Sequence, residues 1–188
     1  DMSPDKVSTV DMGYIFENLV QRFSESYDEE AGAHFTSRDI IYLMCDLLTT
    51  GETLTPEEQR NGIRRTVYDM AMGTSQMLTC MEARLKMLDD NADVSTFGQE
   101  ITPFTYGIGK ADMLIHGGDP DNMQFGDTLS DDKFPGYQFD FVISNPPFGI
   151  DWKREAPAVE AENTRGDAGR FGPGRPSKSD GQMLFLLN

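Results

Sequence analysis

Basic residues are scarce: 16 Lys+Arg stand against 32 Asp+Glu, a formal net charge of −16 over 188 residues. Such a chain repels polyphosphate at long range, so it does not suit a free-standing nucleic-acid binder, and most phosphate-binding charge has to come from elsewhere. Cysteine is scarcer still. Cys45 and Cys80 each stand alone in a helix-like segment, which excludes a disulfide framework and a cysteine zinc site and leaves buried free thiols as the expectation. His34 and His116 sit at helix ends without metal-ligand spacing, so no metal site is expected. Apolar runs are far too short to cross a bilayer, and Asp1-Met2-Ser3-Pro4-Asp5 has no secretion-signal pattern; the reading is a soluble protein. Repeats and low-complexity tracts are lacking too. What is there is globular: 38% hydrophobic residues in a length that suits one domain. The start at Asp1 and the end within the apolar run Met183–Leu187 read as the cut ends of an excerpt.

Periodicity lays out the elements. Met12, Ile15, Phe16, Leu19, Val20 and Phe23 fall on one helical stripe. Ser37 suits the N-cap of a second helix with Ile40, Ile41, Met44, Leu47 and Leu48 on its buried face, and 49–65 reads as an exposed polar loop. Strands are expected at 66–69, 96–101, 123–125 and 139–144. A glycine turn at Gly73 leads into a helix carrying Met77, Leu78, Met81, Leu85 and Leu88. Thr102 and Pro103 suit the start of another helix, with Ile108, Ala111, Leu114 and Ile115 inward and Gly117-Gly118 as its stop. The eleven methionines fall mostly at helical-face positions and read as core. The Gly/Pro-rich stretch 151–179 reads as a long, mobile surface loop. Alternating strands and helices imply an α/β fold with a mostly parallel, doubly wound sheet, whose ligands gather beyond the carboxyl ends of the strands.

The unusual residues lie at those ends. Asn145-Pro146-Pro147-Phe148 closes an apolar strand; two prolines fix φ and remove two donors, so the Asn145 amide oxygen and the Pro146 carbonyl become rigid acceptors for an amino group. Phe148 adds a flat face suited to a stacked base. Alone, the tetrapeptide is equally compatible with an ordinary strand-ending turn. The acids ending the preceding strands favour a site. Glu100 suits a ribose diol, Asp127 an adenine amino group, and Asp69 precedes the turn that would cradle the amino-acid part of a nucleoside cofactor.

Together these residues resemble the modification subunit of type I restriction-modification systems, an S-adenosylmethionine-dependent adenine-N6 DNA methyltransferase. The similarity runs through Met12–Glu17, Ala33–Arg38, Arg65–Asp69, Phe97–Glu100, Phe125–Asp132, Asn145–Gly149 and Gly169–Gly172 to Ser179–Gly181. It implies a Rossmann-like methyltransferase fold of which this chain holds the first four strands, with helices at 1–60 leading into a partial catalytic domain at 61–188. It assigns cofactor binding to Phe35, Thr36, Asp69, Ala71, Gly73, Thr74, Glu100, Ile101, Asp127, Thr128 and Asn145, and base capture to Asn145, Pro146, Pro147 and Phe148. The implied cofactor is S-adenosyl-L-methionine. The implied partners are double-stranded DNA with a flipped adenine and the specificity and restriction subunits, in a bacterial or archaeal cytoplasm with no membrane association.

The chain departs from the family pattern where that pattern has Asp-Pro-Ala-Cys-Gly-Thr-Gly-Gly. Here the run is Asp69-Met70-Ala71-Met72-Gly73-Thr74-Ser75-Gln76, so Ser75 and Gln76 are expected to put side chains where the backbone meets the cofactor. Gly109 replaces a favoured cysteine. Two alternatives follow: a scaffold subunit of the same complex that does not turn over, and a protein-glutamine methyltransferase that shares the Asn-Pro-Pro turn.

Overall fold

The computed structural model describes residues 36–188 together with Ile15, Asn18, Leu19 and Arg22. The remaining members of the stripe at 12–23, and His34 and Phe35, lie outside the described residues. The order is α1 (Arg38–Thr49), α2 (Glu58–Asn61), β1 (Arg64–Asp69), α3 (Gln76–Leu88), β2 (Asp93–Glu100), α4 (Pro103–His116), β3 (Met123–Phe125), β4 (Phe141–Val142), α5 (Ala156–Asn163) and α6 (Gln182–Leu187), with 3-10 turns at Pro120–Asn122 and Gly166–Ala168. The four strands form one parallel sheet in the order β3-β2-β1-β4.

Consecutive strand residues face opposite ways, and Val67 and Tyr68 accordingly belong to two different cores. Val67 packs with Ile41, Leu78, Met81, Leu85 and Met113 of the helices on one face. Tyr68 packs with Leu129, Trp152, Val159, Phe171 and Leu184 on the other. The sheet is therefore covered on both sides, which is why β1 tolerates the apolar pair Val67 and Tyr68 at successive positions. Cys45 and Cys80 are buried free thiols, both pushed up to about 11 by burial.

Several expected boundaries move. β1 and β2 begin at Arg64 and Asp93, earlier than hydropathy suggests: at the start of β1 Arg65 pairs with Glu58 at 2.8 Å and Glu52 at 3.2 Å, and at the start of β2 the Asp93 N–H donates to the Ile63 carbonyl at 2.8 Å. The expected polar loop at 49–65 accordingly contains α2 and the start of β1. β4 keeps only two ladder residues and has no strand on its outer side among the described residues. On α1 the buried positions are Ile41, Cys45 and Thr49, while Ile40, Leu47 and Leu48 are exposed; apolarity alone did not rank the faces of a helix apolar on most sides. On α4 the buried residues are Gly109, Asp112 and Met113, not Leu114, because the helix meets the turn before α3 through its smallest residue. The helix stops as expected at Gly117, which adopts φ +78° as its N–H returns to Leu114.

The largest correction concerns 151–179. It contains α5, and Trp152, Val159 and Phe171 are each at most 2% exposed. Its glycines serve close packing: a Cβ on Gly169 or Gly172 would run into the carbonyls of Glu162 and Gly166. Arg170 fastens the segment, bonding the Glu162 carboxylate, the Thr128 carbonyl at 2.6 Å and Asn188 Oδ1 at 2.6 Å. No helix of the described residues is long and apolar enough to cross a membrane.

Candidate functional site

A cleft of about 230 Å³ opens at the carboxyl ends of β1 and β2. The chain segments that follow all four strands line it. After β1 the chain reverses through Gly73, whose φ of +53° lies where only glycine is at ease. The turn is fastened to β2 by the Met72 N–H on the Gln99 carbonyl at 3.0 Å and by the Gly73 N–H on Glu100 Oε2 at 2.9 Å. Glu100 Oε1 accepts from the Thr102 N–H at 2.7 Å, so one carboxylate holds both turns.

The segment Phe97-Gly98-Gln99-Glu100 thus has a part for each of its last three residues. A Cβ on Gly98 would strike the sulfur of Met72, so glycine makes room for the turn. Gln99, fully buried, donates to the Asp131 carbonyl at 2.8 Å and accepts from the Lys133 N–H at 3.2 Å, anchoring the loop after β3.

Of the expected cofactor residues, Thr36, Asp69, Ala71, Gly73, Thr74, Glu100, Ile101, Thr128 and Asn145 all line this cleft. Phe35 lies outside the described residues. Asp127 stands beside the cleft and does not line it: its carboxylate accepts from the Leu129 N–H at 3.0 Å and the Ser130 hydroxyl at 2.6 Å, capping its own loop, while its neighbours Gly126 and Thr128 face the cavity. Of the base-capture group, Asn145 and Pro147 line the cleft; Pro146 is half-buried outside its lining and Phe148 is exposed.

Sequence reasoning missed Met72, Thr105 and Phe185 in the lining. Phe185 sits in the apolar run near the end of the chain, and nothing in that run sets it apart from its neighbours. Of the two side chains expected to crowd the cofactor, only Gln76 lines the cleft. Ser75 is fully buried and its hydroxyl points toward α4, to Asp112 Oδ2 at 3.0 Å and the Gly109 carbonyl at 3.2 Å. The expected obstruction at Ser75 is therefore corrected.

The electrostatics are one-sided. The charged residues that line the cleft are both acids, Asp69 and Glu100. Asp69 is 1% exposed; burial pushes its carboxyl up to about 7, against the partial offset of the Ala71 N–H, and Glu100 adds to the rise. An under-solvated carboxyl beside a second acid fits a cationic ligand and opposes a phosphate. Each Glu100 oxygen spends one of its two lone pairs on the backbone, leaving acceptor capacity for a diol. At the far wall, Asn145 Nδ2 donates to the Thr36 hydroxyl at 3.0 Å, a bond that leaves the amide oxygen for a ligand.

Comparison with known proteins agrees with this geometry. The N-6 DNA methylase family model matches residues 8–188. The type I restriction enzyme MjaIX methylase subunit of Methanocaldococcus jannaschii is 25% identical over 178 residues, covering 94% of this chain and 29% of the relative. The MpnII methylase subunit of Mycoplasma pneumoniae is 28% identical, covering 98% of this chain and 33% of the relative. Among solved structures, the type I restriction-modification methyltransferase subunit of Streptococcus thermophilus superposes with a TM-score of 0.69 at 25% identity, over 93% of this chain and 35% of that one. The chain spans about a third of the length of these proteins. Its α/β sheet is the Rossmann-like sheet of methyltransferases, and the chain belongs to the N-6 DNA methylase family.

Proposed function

We propose that the protein carrying this chain is the modification subunit of a type I restriction-modification system, transferring a methyl group from S-adenosyl-L-methionine to adenine N6 in DNA. The observation that carries the reading is the Asn145 amide, tethered through Nδ2 to Thr36 with its oxygen left as acceptor, on the wall of a cleft whose charged lining is acidic. The cofactor supplies an electrophilic methyl on a cationic sulfur. Glu100 would take its ribose hydroxyls and Asp69 its ammonium group, two roles that suit acids.

The adenine amino nitrogen is a poor nucleophile because its lone pair is delocalised into the ring, and the base is unreachable while stacked, so it must be flipped out. In this reading Phe148, exposed after the two prolines, stacks on the extruded ring. The Asn145 oxygen and the Pro146 carbonyl would accept hydrogen bonds from the amino N–H groups and localise the lone pair toward the methyl, and the proton that the nitrogen loses on methylation would pass to solvent. Positioning and preorganised dipoles of this kind lower a barrier by several kcal/mol. Sequence recognition and phosphate contact fall to a specificity subunit, in keeping with the charge of −16 on this chain. The test is Asn145→Ala in the complete protein: methyl transfer to adenine should fall by at least about 100-fold with the fold retained. Substantial transfer by that variant would refute the assignment.

A further inference from the structure

We infer that the Ser75 hydroxyl and the Asp112 carboxylate act together as positioning residues that hold the methyl-donor turn in a left-handed conformation without the glycine that such a turn normally uses. The inference rests on the methyl-donor reading of the cleft.

Ser75 is the one non-glycine residue with positive φ among the described residues, at φ +67° and ψ +5°. It stands immediately before α3, between cleft residues Thr74 and Gln76, and its carbonyl receives the first helical N–H bonds, from Leu78 at 3.0 Å and Thr79 at 3.2 Å. A left-handed residue with a Cβ persists only where its surroundings over-determine it. Three contacts do so here. The hydroxyl hydrogen faces two acceptors, Asp112 Oδ2 at 3.0 Å and the Gly109 carbonyl at 3.2 Å. The Ser75 N–H donates to the Met72 carbonyl at 2.8 Å. Asp112 is itself 4% exposed and fixed from its other side, its Oδ1 lying 3.3 Å from His116 Nδ1.

Gly109 makes the arrangement possible. A Cβ there would lie 3.0 Å from the Gly73 carbonyl and 3.6 Å from the Ser75 nitrogen, so a larger residue would press α4 away from the turn. Ser75 and Gly109, two positions at which the chain departs from the family pattern, are therefore in contact and complementary. The serine brings a side chain that must be held, and the glycine lets the holding helix approach.

A double-mutant cycle on the complete protein tests this. Asp112→Ala and Ser75→Ala should each weaken S-adenosylmethionine binding about tenfold in calorimetry, the scale of one buried hydrogen bond. Ser75→Gly should bind like the parent, because glycine takes the conformation unaided. Asp112→Ala in the Ser75→Gly background should then cost little, whereas a merely structural Asp112 would cost the same in both. Asp112→Asn, which keeps an acceptor, should retain most of the affinity. Hydrogen exchange of the Leu78 and Thr79 amides, read without cofactor, should speed up in Ser75→Ala and Asp112→Ala and stay slow in Ser75→Gly. Equal loss from Asp112→Ala in both backgrounds, or unchanged exchange, overturns the inference. A parent that binds no cofactor while the exchange pattern holds would refute the methyl-donor reading and leave the lock standing.

Discussion

Asp69 makes the stability of this fold depend on pH in a direction opposite to that of a salt-bridged acid. Its carboxyl is pushed from 3.8 up to about 7 by burial. Between those values the folded chain holds a proton that the unfolded chain has released, so the contribution of Asp69 to stability is most favourable below the unfolded pKa and is lost as pH rises toward 7. The loss runs at about 1.4 kcal/mol per pH unit midway between the two values, amounts to about 2 kcal/mol between pH 5 and 7, and levels off above. Asp69→Asn removes the titration and keeps an acceptor for the Ala71 N–H, which now bonds Oδ1 at 3.0 Å. Urea unfolding of both proteins from pH 5 to 8.5 should show the variant gaining on the parent by about 2 to 3 kcal/mol, nearly all of it before pH 7.5. Parallel stability curves would refute the placement of a protonated, desolvated carboxyl at the end of β1. The same linkage bears on the ligand: a cation seated against Asp69 requires its ionised form, so calorimetry near pH 6.5 should show proton release on cofactor binding.

Thr36→Val removes the hydroxyl that receives the Asn145 amide; kcat for adenine methylation should drop about tenfold, the scale of one hydrogen bond, and far less than for Asn145→Ala, as single-turnover assays would show. Gly98→Ala forces a methyl against Met72, and thermal unfolding should register a destabilisation of about 1–3 kcal/mol. Arg170→Met strips the carbonyls of Thr128 and Leu129 and the Glu162 carboxylate of their shared donor, and limited proteolysis should then cut within 151–179 well before the sheet.

How much of this was legible depended on whether the deciding interaction was local. The alternation of strands and helices between 66 and 144, the Gly73 turn and the Gly117 stop follow from periodicity and backbone stereochemistry within a few residues, and the structure has these elements in the expected order, with shifted boundaries. The face of α1 and the burial of 151–179 depend on partners far along the chain. Nothing within 170–172 announces that Arg170 will reach carbonyls 41 and 42 residues away, so the Gly/Pro richness read as looseness when it serves close packing. The site divides the same way. The acids at strand ends were visible because the parallel topology gathers those ends. Asp127 was ambiguous because an acid after a strand can cap its own loop as readily as face a ligand, and here it bonds Leu129 and Ser130.

Charge connects the cleft to the rest of the proposal. A chain with 32 acids and 16 Lys+Arg is a poor surface for a phosphodiester backbone. Inside the cleft the same sign is an advantage, since Asp69 and Glu100 attract a cationic donor and oppose the nucleotide phosphates that a Rossmann-like sheet otherwise accepts. A neutral base is the part of DNA that can approach such a wall without an electrostatic penalty. It can do so only when extruded, with its phosphates held at a distance by another, more basic surface. Asn145 and Phe148 ask for an amino group and a ring face and for no anion, so the acidity that argues against DNA binding by this chain alone is compatible with chemistry on a flipped adenine.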